Sequence, residues 1–102
     1  MEKNIDTGNT KRTGDITEIK AISWLLDQGY EVFKNVSCVG PIDIITYDTK
    51  TDEVVFIDVK TRDFKWPSSH TPYKTDFQEE AGVVILLYDP KIDMFKWENS
   101  DD

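Results

Sequence analysis

The sequence predicts an α/β fold: one long helix, a three-stranded meander, a short helix and one or two further strands, combined as a mixed sheet flanked by helices. Three observations predict it. Apolar residues recur at helical spacing over one long stretch, "GDITEIKAISWLLDQGY" (14–30). Two strand-like runs, "IDIITYD" (42–48) and "EVVFIDVKT" (53–61), flank the polar turn "TKTD". A further run, "VVILLYD" (83–89), is apolar almost throughout, as expected of a strand covered on both faces. A chain of 102 residues supports one core. The expected organisation is a flexible polar arm over 1–13, a single domain over 14–98 and an acidic tail over 99–102.

Each element has its own signal. In the long helix Ile19, Ile22 and Leu26, with Ala21 and Leu25, fall at helical spacing, and Gly29 supplies the stop. "EVFKNVSC" (31–38) reads as a strand ended by Gly40-Pro41. Short turns join it to the next two strands, which favours an antiparallel meander. The stretch "RDFKWPSSHTPY" (62–73) reads as a loop carrying two prolines. "KTDFQEEAG" suggests a short helix ending at Gly82, and "MFKWE" (94–98) an edge strand.

Composition limits the function. No apolar run approaches the roughly 20 residues that cross a bilayer, and "EKNIDTGNTKR" after Met1 lacks the apolar segment of a signal peptide. The expectation is a cytoplasmic protein with no membrane partner, in a host cytoplasm if phage-encoded. Cys38 is the lone cysteine and is expected to be a small buried hydrophobe. A formal charge of −8 argues against nonspecific coating of nucleic acid, which lysines and arginines drive. The charge is unevenly spread. Lys60, Arg62, Lys65 and Lys74 lie in a segment with Asp63 as its one acid, whereas eight acids follow from Asp76 onward. The basic segment also carries Phe64, Trp66 and Tyr73, a mixture suited to phosphate contact with stacking. His70, the single histidine, is expected at the surface or against DNA.

Charges inside the strand-like runs need an explanation. An unpaired charge in a low-dielectric interior costs several kcal/mol, comparable to the whole stability of a small domain. In the run 53–61, Val54, Phe56, Asp58 and Lys60 share one face, because side chains alternate along a strand. A short turn to the preceding strand brings Asp43 toward Asp58 and Lys60. Two carboxylates and a backbone carbonyl such as that of Val59 are hard oxygen donors of the kind Mg²⁺ takes. Asp58 and Lys60, about 6–7 Å apart along the strand, can flank a metal and its water. Taken singly, Asp58 with Lys60 also fits a solvated ion pair, and Asp43 fits a turn residue after Gly40-Pro41.

"PID" at 41–43 followed by "DVK" at 58–60 resembles the signature of the PD-(D/E)XK nuclease superfamily, with Ile42 interrupting the proline–acid pair. The resemblance extends to "GDITEIKAISWLLDQGYEVF" and "TDFQEEAGVVILLYDP" and covers residues 14 to about 90. It implies a restriction-endonuclease-like core. It further implies that Glu18, near the start of the first helix, joins Asp43, Asp58 and the Val59 carbonyl at the metal, and that Gln78 assists. Read alone, Glu18 also fits a capping box with Asp15.

The function these residues imply is a Mg²⁺-dependent endodeoxyribonuclease, with Mn²⁺ substituting, in which Glu18, Asp43, Asp58, Lys60 and Gln78 form the catalytic set. Arg62, Lys65, Trp66 and Lys74 are the expected DNA contacts. The small size resembles homing endonucleases and also Holliday junction resolvases; a homodimer or homotetramer is expected with either. A non-catalytic binding module on the same scaffold is the alternative from another class.

Overall fold

A computed structural model describes residues 10–37, 39–62 and 74–98. In chain order it contains α1 (Thr10–Asp27), β1 (Glu31–Lys34), β2 (Ile44–Asp48), β3 (Glu53–Thr61), α2 (Asp76–Ala81), β4 (Val84–Asp89) and β5 (Met94–Trp97). The strands form one sheet in the order β1-β2-β3-β4-β5. The first three make the expected antiparallel meander, β4 runs parallel to β3, and β5 returns antiparallel to β4. The mixed α/β architecture read from the sequence is the observed one. Cys38, and the segment 63–73 with Lys65, Trp66 and His70, lie outside the described residues, as do 1–9 and 99–102.

The core sits between α1 and one face of the sheet. Ala21 and Leu25 pack against Ile44, Ile57 and Leu86, with Ile22, Trp24, Val32, Val55 and Val59 around them. The buried stripe of α1 is therefore Thr17, Ala21 and Leu25 at successive four-residue steps. This corrects the helical face expected from the sequence: Ile19 is 63% and Leu26 55% exposed. Ala21, Leu25 and Ile22 lie on the packed side as the spacing predicts, whereas Ile19 and Leu26, which hydropathy ranks above Thr17, do not. Thr17 lies in the stripe because its hydroxyl is satisfied, donating to the Thr13 carbonyl at 3.0 Å and accepting from the Thr61 hydroxyl at 3.0 Å.

Two boundaries also differ from expectation. Helix α1 begins at Thr10, so its first turn occupies part of the span expected as a loose arm. Residues 12–16 of that helix are exposed, which removes the apolar periodicity that would have marked them. Strand β1 ends at Lys34, four residues early, because the Asn35 side chain turns the chain inward. Its amide nitrogen donates to the carbonyls of Val39 and Ile42, both at 2.9 Å, while its oxygen accepts from the Ser37 amide and hydroxyl. Gly40 completes the turn with φ 109°, a conformation that L side chains rarely adopt. The loop delivers Asp43 to the sheet, where its amide donates to the Ile57 carbonyl at 2.9 Å.

The assignment of the α1 stripe makes a sharp contrast between neighbouring residues. Leu25→Ala is expected to cost about 2–5 kcal/mol in urea denaturation, as large-to-small core changes do. Leu26→Ala should stay within about 0.5 kcal/mol of the parent. Equal effects would mean that the helix is rotated on the sheet.

Candidate active site

The site forms where β2 begins and β3 approaches its end. Because Ile44 pairs with Ile57, the residues one step further, Asp43 and Asp58, come side by side. Each carboxylate is held by named donors. The Val59 amide donates to Asp43 Oδ2 at 2.9 Å. Asp58 Oδ2 accepts from Gln78 Nε2 at 3.0 Å and lies 3.2 Å from Lys60 Nζ. Asp58 is buried, whereas Lys60 is partly open to solvent.

Gln78 is fixed more firmly than its position on a six-residue helix suggests. Thr75 caps α2, its hydroxyl accepting from the Gln78 amide at 3.1 Å, and Gln78 Oε1 accepts from the Thr75 amide at 3.0 Å. The Gln78 Nε2 then donates to both Asp58 and the Pro41 carbonyl, the latter at 2.8 Å. The cap, the 35–43 loop and β3 are thus tied through one buried amide. Gly82, in the left-handed conformation with φ 74°, ends α2 and returns the chain to β4.

The electrostatics follow from that crowding. Burial pushes the Asp43 carboxyl up to about 7, and hydrogen bonding with Asp58 and the charges of Asp58 and Glu18 push in the same direction, against the Val59 amide. The Asp43 carboxyl therefore keeps its proton up to near neutrality. A divalent cation would relieve the same repulsion, and two carboxylate oxygens are the hard donors it requires.

Glu18 departs from the expected ligand set. Its charge bears on Asp43, but its carboxylate is bound to Lys34 Nζ at 2.7 Å. Among the described residues no three Asp, Glu, His or Cys side chains converge as a metal-binding group. In this structure Lys34 of β1 engages the Glu18 carboxylate, whose charge still bears on Asp43. Val59, expected to contribute its carbonyl, meets the site through its amide.

The expected DNA contacts also divide. Arg62 continues from β3, its amide donating to the Tyr88 carbonyl at 2.8 Å. Lys74 does not present a free charge. Its Nζ lies 2.8 Å from Glu98 Oε2, with the two side chains only 16% and 9% exposed. Glu98 Oε2 also accepts from the Ile85 amide at 3.0 Å, so the pair fastens the chain before α2 to the residue after β5. That correction has a simple cause: a basic residue in a basic run looks like a phosphate ligand, but its partner is 24 positions away. Lys34, Asn35 and the Pro41 carbonyl were not anticipated at all. The β1–β2 register, with Lys34 opposite Ile44, brings Lys34 and Asn35 near the site, and the Gln78 amide brings in the Pro41 carbonyl.

A model of the PD-(D/E)XK endonuclease family matches residues 8–101. The chain belongs to that family. Its five-stranded mixed sheet with helices accords with the restriction-endonuclease-like fold of these enzymes, which generally use divalent metals. A UPF0102 protein from Caldicellulosiruptor bescii is 39% identical over 71 residues, covering 65% of this chain and 58% of that protein. The match thus spans little more than half the relative's length. No solved structure matches.

The Asp43 carboxyl gives a pH prediction. Its value of about 7 lies above the ordinary 3.8, so between these limits the folded chain holds a proton that the unfolded chain has released. The stability this contributes is complete below about pH 4 and is lost as pH rises through 7. In EDTA at pH 8, Asp43→Asn should therefore unfold at a higher temperature than the parent, with the gap closing toward pH 5. Solvent screening limits the gain to about 1 kcal/mol. A gap that is constant with pH would show that Asp43 is an ordinary surface carboxylate.

Proposed function

We propose that the chain is a divalent-metal-dependent endodeoxyribonuclease acting through Asp43, Asp58 and Lys60. The observation that carries this reading is the juxtaposition of two carboxyl groups, Asp43 and Asp58, with a lysine 3.2 Å from Asp58, in a chain that belongs to an endonuclease family. A lone surface ion pair would not need an abutting second carboxylate or a buried glutamine to hold it.

A divalent cation bound by Asp43 and Asp58, Mg²⁺ by preference and Mn²⁺ in its place, would supply Lewis acidity at the scissile phosphate. Lys60, partly exposed beside Asp58, orients the attacking water and offsets charge on the phosphoryl oxygens. Gln78 is a positioning residue: it holds Asp58 and the Pro41 carbonyl in fixed relation through its two Nε2 hydrogens. Glu18 serves as a reserve carboxylate, available if a cation draws it away from Lys34. Arg62, with Lys65 and Trp66, remains the proposed DNA contact, and Lys74 is withdrawn from that set because Glu98 occupies it.

Two finer roles follow from the same chemistry and separate by substrate. Cutting at one long duplex sequence would mark a homing-type endonuclease, and symmetric cutting at a branch would mark a junction resolvase. The binding-module reading draws its support from the −8 charge; it predicts no cleavage of any DNA.

Incubation with supercoiled, linear and four-way-junction DNA, in Mg²⁺, Mn²⁺ or EDTA, tests the proposal. Lys60→Met keeps the apolar stem and loses the ammonium. It should reduce cleavage by about two orders of magnitude or more, the range of a removed charge-stabilising group, with DNA affinity within a few-fold. Asp58→Asn should do the same. Cleavage by Lys60→Met at the parent rate would reduce the lysine to a structural counter-charge.

A further inference from the structure

Beside the carboxylates lies a cleft of about 560 Å³ lined by Gly40, Pro41, Lys60, Thr75, Phe77 and Gln78. Its volume falls in the range of small-molecule sites, about 300–1,000 Å³. Phe77 is 57% exposed, while the next residue, Gln78, is 6% exposed and bonded to Asp58. The helical turn that fixes a site carboxylate therefore also carries an aromatic ring that lines the same cleft. An isolated exposed apolar residue would need no explanation. This one shares a cleft with the pyrrolidine of Pro41 and with Lys60, whose ammonium reaches Asp58.

We infer that Phe77 is a base-stacking residue, and that the cleft takes an unpaired nucleotide next to the phosphate that is cut. The inference rests on the nuclease reading and narrows it to a substrate class. Two chemical features select the occupant. The ring of Phe77 and the ring of Pro41 offer apolar faces to a planar base, and Lys60 offers a cation to the attached phosphate. Every base has a face to stack, so the contact is indifferent to sequence. In intact duplex DNA those faces are already covered by neighbouring base pairs, and the cleft would have nothing to grip. The preferred substrate is then DNA with a single-stranded or extruded nucleotide at the cleavage point.

Anisotropy titrations in EDTA, where no cleavage occurs, test this without relying on activity. The probes are a labelled single strand, the same strand in a perfect duplex, and a duplex with one unpaired nucleotide. Phe77→Ala should weaken binding of the single-strand and unpaired probes by roughly 10- to 100-fold, as loss of a stacking platform does. Binding of the perfect duplex should change less than about threefold. Phe77→Leu, which keeps apolar bulk, should fail like Ala, and Phe77→Trp should restore binding. Parent-like affinity of Phe77→Ala for all three probes would overturn the inference, as would equal weakening for all three. Sedimentation that shows a parent dimer turned monomeric by Phe77→Ala would overturn it too, by giving the face to a second copy. The nuclease reading is tested separately by cleavage of DNA by the parent in Mg²⁺ or Mn²⁺: a Phe77 effect without parent cleavage leaves a stacking cleft but overturns the nuclease reading and the cut phosphate placed beside it, and parent cleavage without a Phe77 effect overturns this inference alone.

Discussion

The contact between Asp43 and Asp58 puts two like charges together where little solvent is available to separate them. At an effective dielectric near 20, two unit charges about 4 Å apart repel by about 4 kcal/mol, a large part of a small domain's net stability. The fold answers with a proton on Asp43, an ammonium from Lys60, an amide from Gln78 and an amide from Val59. These partners come from a loop, a strand and a helix, so the repulsion can be contained only when all three are assembled. Local stability is given up at this one point of the sheet.

The parts that hold this point in place are polar and mostly short-range. Asn35 shapes the loop before Asp43, Thr75 and Gln78 cap each other at α2, and Lys74 with Glu98 anchors the entry to that helix. The apolar core beneath α1 contributes the platform but no group at the reacting end. Fold and site therefore rest on different interactions, and a substitution can damage one while sparing the other. No described side-chain polar atom is left buried without a partner, which fits a site whose geometry is settled before any ligand arrives.

How far the sequence could be read depended on whether a feature was set by period or by pairing. The meander was legible because strand alternation and a four-residue turn leave little choice of register, and that register placed Asp43 beside Asp58. Gln78 was legible only through resemblance; its hydrogen bonds to Asp58 and Pro41 span 20 and 37 positions. The buried stripe of α1 was legible at Ala21 and Leu25 but not at Thr17, where a satisfied threonine takes a place that hydropathy gives to isoleucine. For Glu18 and Lys74, the partners were not legible at all. Each is a charge whose sequence neighbours suggest a ligand, yet a distant opposite charge, Lys34 or Glu98, reaches it first. Pairing across the fold has no local trace in a sequence.

The margins of the sheet carry a consequence of their own. Both outer strands, β1 and β5, have only four residues, and each includes a lysine, Lys34 in one and Lys96 in the other. Unpaired strand edges invite further strands to add on, and short, charged edges resist that growth. The sheet is thereby sealed at five strands against its own kind. Strand addition at either margin would gain at most four residues of ladder and would set a charge against the incoming chain, which disfavours the fibrillar route open to longer, uncharged edges.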